Sequence, residues 1–244
     1  MALKDGDIVL VNYTVRSEDG VLVETTIEDI ARKEGKYSED TYYGPKPIVV
    51  DERTLVKGFY KALKDMNVGD KKTAEIPPEE AYGVIDPAKI RKYPIRRFLK
   101  AGVRPEVGKV VEINNELGII KRVTDRIVEV DFNHPLAGKK LVYEIEVIDI
   151  ADTPEKKVKY LVARRLTINP DEVEVDAGDG VFRVKLKPNV MDIRDLPLYL
   201  KVLGAEVKKF LPETRRLEFI ISIEYPAPQE EGKEEAENKE EASQ

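Results

Sequence analysis

The sequence predicts an α+β fold spread over more than one small domain, and three observations lead to this prediction. The chain has 244 residues, whereas an average domain has roughly 150. Segments that alternate apolar and polar side chains, as strands do, outnumber segments with helical periodicity. The last 18 residues hold almost no large apolar side chain. A strand-rich unit wrapped around one helix therefore precedes further small units and a polar tail.

The first unit opens with a predicted β-hairpin. Alternation over Ile8–Arg16 predicts a strand whose inner face carries four apolar or aromatic side chains, namely Val9, Val11, Tyr13 and Val15. Ser17–Gly20 predicts the turn, because Asp and Gly tolerate positive φ. Val21–Glu24 is then the returning strand.

A short helix, a longer helix and another strand follow. Thr25 or Thr26 can cap the short helix, which Gly35 would end. In the segment GFYKALKDM, four apolar side chains recur at helical spacing: Phe59, Ala62, Leu63 and Met66. The alternating segment Lys71–Ile76 predicts a further strand.

The strand that closes this sheet is predicted only at Leu141–Ile150, with Tyr143 on its inner face. Residues 1–84 and 140–152 thus form one discontinuous domain. The intervening residues 85–139 contain three strand signals, at Gly108–Ile113, Gly118–Val123 and Arg126–Asp131. A segment of this length with several strands is better treated as a small inserted domain than as a loop.

The pattern of residues 153–226 predicts a third unit, of α+β type. Thr153 caps its first helix and Pro154 takes the first helical position. The later elements are strands at Glu172–Asp176 and Val181–Lys187, a helix around Leu196–Phe210 and a strand at Leu217–Tyr225.

The tail, residues 227–244, carries seven Glu and two Lys. Such a segment cannot bury enough apolar surface to offset its chain entropy, so it is predicted to be disordered. We prefer a solvated tail that aids solubility over an acidic docking tail.

Composition excludes several classes of function. A net charge of −6 argues against a uniformly basic nucleic-acid binder, and no apolar run reaches the roughly 18 residues of a membrane helix. There is no Cys and one His, so thiolate catalysis, Cys-based zinc sites and protein-only imidazole metal clusters are excluded, and neither metal nor cofactor is expected. The N-terminus lacks a secretory pattern, which predicts a cytoplasmic protein. Abundant Lys and Glu with few amides indicate a heat-adapted source.

Several motifs of the first unit resemble the FKBP family of peptidyl-prolyl isomerases. They are YTVRSEDGVLVETT (Tyr13–Thr26), LVKGFYKALKDMNVGDK (Leu55–Lys71), PPEEAYG (Pro77–Gly83) and the closing strand. DFNHPLAGK (Asp131–Lys139) is similar to the return of the flap domain in SlyD-type members, and the third unit resembles the long archaeal members. The resemblance implies an antiparallel half-barrel wrapped on one helix, with an inserted β-rich flap domain and a C-terminal α+β domain.

The resemblance also implies a prolyl pocket between sheet and helix. Its catalytic positions are Tyr13, Glu24, Val56, Phe59 and Tyr82, and its substrate-binding positions include Val23, Leu55 and Tyr143. In the family pattern the Val56 N–H and the Tyr82 hydroxyl hold the substrate's carbonyls, while Glu24 lies beside the twisting carbonyl. From periodicity alone, Phe59 and the inward tyrosines are core residues.

Three of these positions depart from the family pattern. Glu24 stands where Asp is usual, Phe59 where many members have Trp, and Val23 where Phe is frequent. We therefore expect weaker catalysis or altered affinity for the family's macrolide inhibitors. His134 precedes a proline that restrains its backbone, so a structural hydrogen bond at the domain junction is preferred over a catalytic role.

The implied activity is cofactor-free isomerisation of X-Pro bonds in unfolded or proline-containing polypeptides, together with folding chaperone activity. In the insertion, Ile90, Ile95, Phe98 and Leu99 can contact clients, although the spacing of the last three fits burial in the insertion equally well. The alternatives are a holdase with negligible turnover and a scaffold that acts through residues 154–225. For the third unit, homodimerisation comes first and an extra chaperone surface second.

Overall fold

The computed structural model describes residues 3–50, 56–64, 66–223 and 225. Its elements begin with β1 (Ile8–Ser17), β2 (Leu22–Thr25), α1 (Glu28–Lys33), β3 (Lys46–Val49), α2 (Lys57–Lys64) and β4 (Lys71–Ile76). They continue with β5 (Ile90–Pro94), α3 (Ile95–Lys100), β6 (Val110–Ile113), β7 (Glu116–Val123), β8 (Ile127–Asp131) and β9 (Leu141–Ile150). The last are α4 (Pro154–Leu166), β10 (Glu174–Gly178), β11 (Val181–Leu186), α5 (Leu196–Phe210) and β12 (Arg216–Ile221).

The first sheet has the order β2-β1-β9-β4, with β3 paired to β1, and all of its pairs are antiparallel. The alternation predicted for β1 and β9 is confirmed, because Tyr13 and Tyr143 are each 3% exposed on the inner face. Helix α2 packs against that face and places Phe59, which is fully buried, at its centre. The half-barrel around one helix is therefore the observed architecture.

The outer face of this sheet is covered by the C-terminal residues. Ile8 and Val49, each 1% exposed, belong to the same apolar cluster as Val158 and Leu161 of α4. The hydroxyl of Tyr160 in α4 also donates a hydrogen bond of 2.6 Å to Asp149 of β9. Helix α4 is consequently joined to the first sheet by both apolar and polar contacts.

The insertion forms its own antiparallel sheet, in the order β5-β8-β7-β6, with α3 against it. Its core is separate from that of the first sheet and contains Phe98, Ile120, Val128 and Val130. The two ends of the insertion are held together, since the Asn133 side chain accepts from the Asp86 N–H and donates to the Asp86 carbonyl, both at 3.0 Å.

The C-terminal residues form a three-stranded sheet, β10-β11-β12, in which β11 and β12 run parallel. Helices α4 and α5 are linked through Glu206, whose side chain is 8% exposed and pairs with Arg164 and Arg165. Thr153 caps α4 as predicted, accepting a hydrogen bond from the Lys156 N–H. None of the helices described here has the length and apolarity to cross a membrane.

Some predicted boundaries were wrong. The N-cap position of α1 is Ile27, which makes no side-chain capping bond, whereas the hydroxyl of Thr26 accepts from the Tyr13 N–H and that of Thr25 pairs with Thr14. Strands β3 and β5 were not predicted, since each contains a proline and β5 is rich in charge. The final strand is shorter than predicted. The acidic tail lies outside the described residues.

Candidate active site

Three aromatic rings meet between the first sheet and α2, and we call them the aromatic niche: Tyr13, Phe59 and Tyr143. Ring centroids are 5.7 Å apart for Tyr13 and Phe59, 5.2 Å for Phe59 and Tyr143, and 6.3 Å for the two tyrosines. These are the separations of favourable edge and tilted aromatic contacts. Register explains the convergence, because Tyr143 pairs with Val15 and Tyr13 with Ile145, so both tyrosines point to the same face.

A carboxylate borders the niche. The Tyr13 hydroxyl donates a hydrogen bond of 2.6 Å to Glu24, and the Lys46 ammonium lies 2.9 Å from the same carboxylate oxygen. Burial disfavours the ionised carboxylate, but the hydrogen bond from Tyr13 and the charge of Lys46 outweigh it and hold the pKa of Glu24 below its usual range. The extra methylene of Glu, relative to Asp, therefore does not keep this carboxylate from Tyr13.

Both tyrosines of the niche stay neutral. Burial, followed by the charge of Glu24 and the hydrogen bond to it, raises the pKa of Tyr13 far above its usual value. Burial, followed by the proximity of Tyr82 and Glu24, also raises the pKa of Tyr143. Ala81, which precedes Tyr82, packs against the core that contains the niche rings, so the loop of Tyr82 borders the niche. The niche is thus a buried, uncharged aromatic cluster with one carboxylate at its margin.

Tyr82 lies at the surface, 39% exposed, on the loop that follows β4. Its ring stacks face to face on the imidazole of His134, with a centroid distance of 4.1 Å and an interplanar angle of 3°. The structural hydrogen bond expected for His134 is present, because its Nδ1 accepts from the Leu136 N–H at 3.2 Å. The stack on Tyr82 was not predicted.

The remaining pocket positions lie around α2 and β2. Val56, directly before α2, is 9% exposed and belongs to the core that contains Phe59. Val23 is partly buried and packs against the same core. Leu55 lies outside the described residues. The structure thus brings Tyr13, Phe59, Tyr143 and Glu24 into one site, with the positions of Val56, Val23 and Tyr82 at its border.

In the insertion the four proposed client contacts divide between surface and core. Leu99 is 57% exposed and Ile90 is 37% exposed, whereas Phe98 is 5% exposed and Ile95 packs against the core of the insertion. Burial in the core of the insertion therefore explains Phe98 and the packed part of Ile95. Phe98 also lines a cavity of about 460 Å³ between α3 and β6.

Sequence reasoning missed Lys46, whose ion pair with Glu24 helps to set the charge at the niche. It lies on β3, a strand of four residues that was not predicted because Pro47 occupies its second position. The apolar run that starts at Pro47, after Gly44 and Pro45, was the available signal. Within the described residues, no three His, Asp or Glu side chains cluster closely enough to hold a metal ion.

Comparison with known proteins gives the same family for most of the chain. The family model for FKBP-type peptidyl-prolyl cis-trans isomerase matches residues 1–148. The short-type peptidyl-prolyl cis-trans isomerase of Methanocaldococcus jannaschii is 37% identical over 148 residues, which cover 61% of this chain and 94% of that protein. The FKBP-type 16 kDa isomerase of Escherichia coli is 32% identical over 154 residues, or 61% and 94% of the two chains. SlyD of Pasteurella multocida is 31% identical over 153 residues, or 61% and 69%.

Proposed function

Because the chain belongs to the FKBP family of peptidyl-prolyl cis-trans isomerases, we propose that it rotates X-Pro bonds in the aromatic niche and also assists protein folding. The isomerase activity itself follows from the family. The observation that carries the assignment of the site is the convergence of Tyr13, Phe59 and Tyr143 within 6.3 Å of one another.

An apolar niche can catalyse this rotation without covalent chemistry. The X-Pro bond resists rotation because amide resonance must be broken, at a barrier of roughly 18–20 kcal/mol. At 90° the amide has lost its charge-separated form and is less polar than in either planar state. An apolar wall therefore stabilises the twisted bond more than the planar one, which is differential binding of the transition state. A ten-thousandfold acceleration requires about 5.5 kcal/mol of such discrimination.

Polar groups at the margin hold the substrate in place. We propose that the Val56 N–H, directly before α2, and the Tyr82 hydroxyl bind substrate carbonyls. Glu24, kept ionised by Tyr13 and Lys46, lies on the side where the twisting carbonyl is expected. Val23, Leu55 and Tyr143 complete the proposed wall around the proline ring.

The test of this site is isomerisation of a short X-Pro peptide, measured without a coupling protease. Tyr82→Phe removes one hydroxyl from an exposed ring and should lower kcat/KM about two- to tenfold, the range of one hydrogen bond. The matched control is Tyr225→Phe, since Tyr225 is 83% exposed in the C-terminal part of the chain. Equal activity of both variants and the wild type would remove Tyr82 from the site.

A second proposed function, capture of unfolded chains by the insertion, is supported by its exposed apolar surface. Leu99, Val107, Val110 and Leu117 are each more than half exposed, and the 460 Å³ cavity between α3 and β6 lies beside Val110. Large apolar side chains left this exposed in one small domain favour an interaction surface. Client segments would be apolar and extended, and would pass from this surface to the niche.

Deleting residues 87–132 tests this second function. The hydrogen bonds between Asp86 and Asn133 bring the two ends of the insertion together, so a short bridge can replace it. We expect unchanged isomerisation of a tetrapeptide and loss of the acceleration of proline-limited refolding. The double variant Leu99→Ser, Val110→Ser should weaken refolding in the same way without altering the fold. Refolding activity that survives both changes would refute the role.

A holdase with negligible turnover is the alternative, and the near-complete burial of the niche rings is the observation that favours it. The peptide assay separates the two, because a holdase leaves the short peptide uncatalysed. We further propose homodimerisation through the C-terminal residues, supported by the exposed apolar side chains of Met191, Leu198 and Val202. Sedimentation of the wild type and of Leu198→Glu tests it. The cytoplasmic location and the heat-adapted archaeal source remain predictions.

A further inference from the structure

The stack between Tyr82 and His134 joins two loops that are far apart in the sequence. Tyr82 follows β4, and His134 follows β8 of the insertion, yet their rings lie parallel at 4.1 Å. The backbones of the two loops are also bonded, because the Gly138 N–H donates to the Gly83 carbonyl at 2.8 Å. Gly83 has a φ of +82°, which turns the chain directly after Tyr82.

On the side of His134 the ring is fixed by its own loop. The imidazole Nδ1 accepts from the Leu136 N–H at 3.2 Å, and the His134 carbonyl accepts from the Ala137 N–H at 2.8 Å. The preceding residue, Asn133, is tied to Asp131 and to Asp86 by side-chain hydrogen bonds of 2.8–3.0 Å. The loop therefore presents the imidazole face in one orientation.

On the side of Tyr82 the residue lies partly in solvent. It is 39% exposed, whereas the rings of the niche are at most 3% exposed and are held by core packing. An exposed tyrosine normally samples several rotamers about Cα–Cβ. The flat contact with His134 selects one of these rotamers, on a loop whose preceding residue, Ala81, packs against the core that contains Tyr13 and Tyr143.

We propose that His134 is a positioning residue for isomerisation, which acts by stacking on Tyr82 and directing its hydroxyl toward the carbonyl of the bound peptide. The inference rests on the proposed role of Tyr82. His134 contacts no reacting atom, and any planar ring at this position should serve. His134 belongs to the segment that leads back from the insertion, so the stack ties the prolyl site to this junction, which deletion of residues 87–132 leaves in place together with the Asp86–Asn133 hydrogen bonds.

The test is a double-mutant cycle on short-peptide isomerisation. His134→Leu removes the planar partner and should lower kcat/KM about two- to tenfold, the range of one aromatic contact. His134→Phe should restore most of the activity. In the Tyr82→Phe background, which lacks the hydroxyl to be positioned, His134→Leu should have almost no further effect.

The outcomes separate this inference from the proposed function. If Tyr82→Phe is as active as the wild type, the proposed role of Tyr82 and the inference that rests on it both fail, while the niche itself is untouched. If Tyr82→Phe is impaired but His134→Leu is not, the positioning role fails while the site stands. An equal loss from His134→Leu in both backgrounds would show that His134 acts independently of Tyr82, and that too overturns the inference.

A spectroscopic readout needs no activity at all. The chain contains a single His, so its imidazole protons give one uniquely assigned pair of NMR signals. The parallel Tyr82 ring should displace them upfield. Tyr82→Phe should keep the displacement and Tyr82→Leu should abolish it, and a peptide that binds the niche should change it in the wild type. Imidazole signals that are the same in all three proteins would contradict the stack.

Discussion

The proposed site combines apolar aromatic side chains with one charged carboxylate at its edge. Tyr13 serves both, because its ring belongs to the niche and its hydroxyl donates to Glu24. Glu24 in turn is held ionised by that hydrogen bond and by Lys46. A charge at this position is compatible with an apolar niche only because the carboxylate stays at the edge, where its side chain is 45% exposed.

The lowered pKa of Glu24 predicts a pH-dependent stability difference between the wild type and Glu24→Gln. A carboxylate with a depressed pKa in the folded state adds stability above its unfolded pKa of about 4.3, and that stability is lost as the pH falls through the folded value. We therefore expect the wild type to be the more stable at neutral pH, by less than about 1 kcal/mol because of solvent screening. Urea unfolding between neutral pH and about pH 3 measures it.

The direction of the change decides the outcome of that experiment. The difference should shrink toward acid pH, and added salt should reduce it at neutral pH. A difference that grows as the pH falls would show that the environment of Glu24 does not favour the charged form.

At the level of elements, the position of Phe59 in the niche depends on how closely α2 approaches β4. Gly58 makes this approach possible, because a Cβ there would lie 2.4 Å from Cγ2 of Ile76. Ile76 is 2% exposed and cannot easily move aside. The neighbouring Phe59 is therefore held at the centre of the sheet's inner face by a small residue one position earlier.

Gly58→Ala should consequently destabilise the protein by about 1–3 kcal/mol, the usual cost of overpacking, even though Ala is the better helix former. Truncation of the Ile76 side chain, which a Cβ at position 58 would meet, provides the control. In an Ile76→Ala background, the change Gly58→Ala should cost little or become favourable. Chemical unfolding of the four proteins measures both effects, and equal costs in the two backgrounds would mean that the contact does not limit the packing.

The elements differ in how well the sequence predicts them. Strands β1, β4 and β9 and helices α4 and α5 were predicted closely, because their polar and apolar residues follow the period of a strand or a helix, and for α4 the Thr153 cap marks the start as well. Strands β3 and β5 were missed, since a short strand with a proline is specified by its partners rather than by its own pattern.

The site was predicted unevenly for the same reason. Tyr13, Phe59 and Tyr143 lie on periodic faces, so periodicity located them inside and the family resemblance gave them a role. Lys46 and the partnership of His134 with Tyr82 come from contacts between distant segments. Such contacts cannot be predicted from the local pattern of residues around either partner.

At the scale of the whole molecule, the apolar clusters suggest which parts unfold together. The cluster under α4 includes Ile8 and Val49 of the first sheet, whereas the core of the insertion has residues of the insertion alone. Removing everything after Asp152 would expose Ile8 and Val49. A truncated chain could therefore lose activity because its first domain is destabilised, and this would not reveal the role of the C-terminal residues.

Two core truncations test this coupling. Leu161→Ala in α4 should cost about 2–5 kcal/mol and speed amide hydrogen exchange in β1 and β3. Ile120→Ala is the matched control, because Ile120 is as deeply buried, at 0% exposed, but lies in the insertion. It should speed exchange in β6–β8 and leave β1 unchanged. Equal effects of both variants on β1 would indicate one cooperative unit instead.

The most direct measurement for the whole account is the location of a bound proline ring by intermolecular NOEs between an X-Pro peptide and the full-length protein. We predict contacts from the proline ring protons to the aromatic protons of Phe59 and Tyr143, with exchange cross-peaks between the cis and trans forms of the peptide. Catalysed exchange with proline contacts only to the insertion, and none to the niche, would contradict the account.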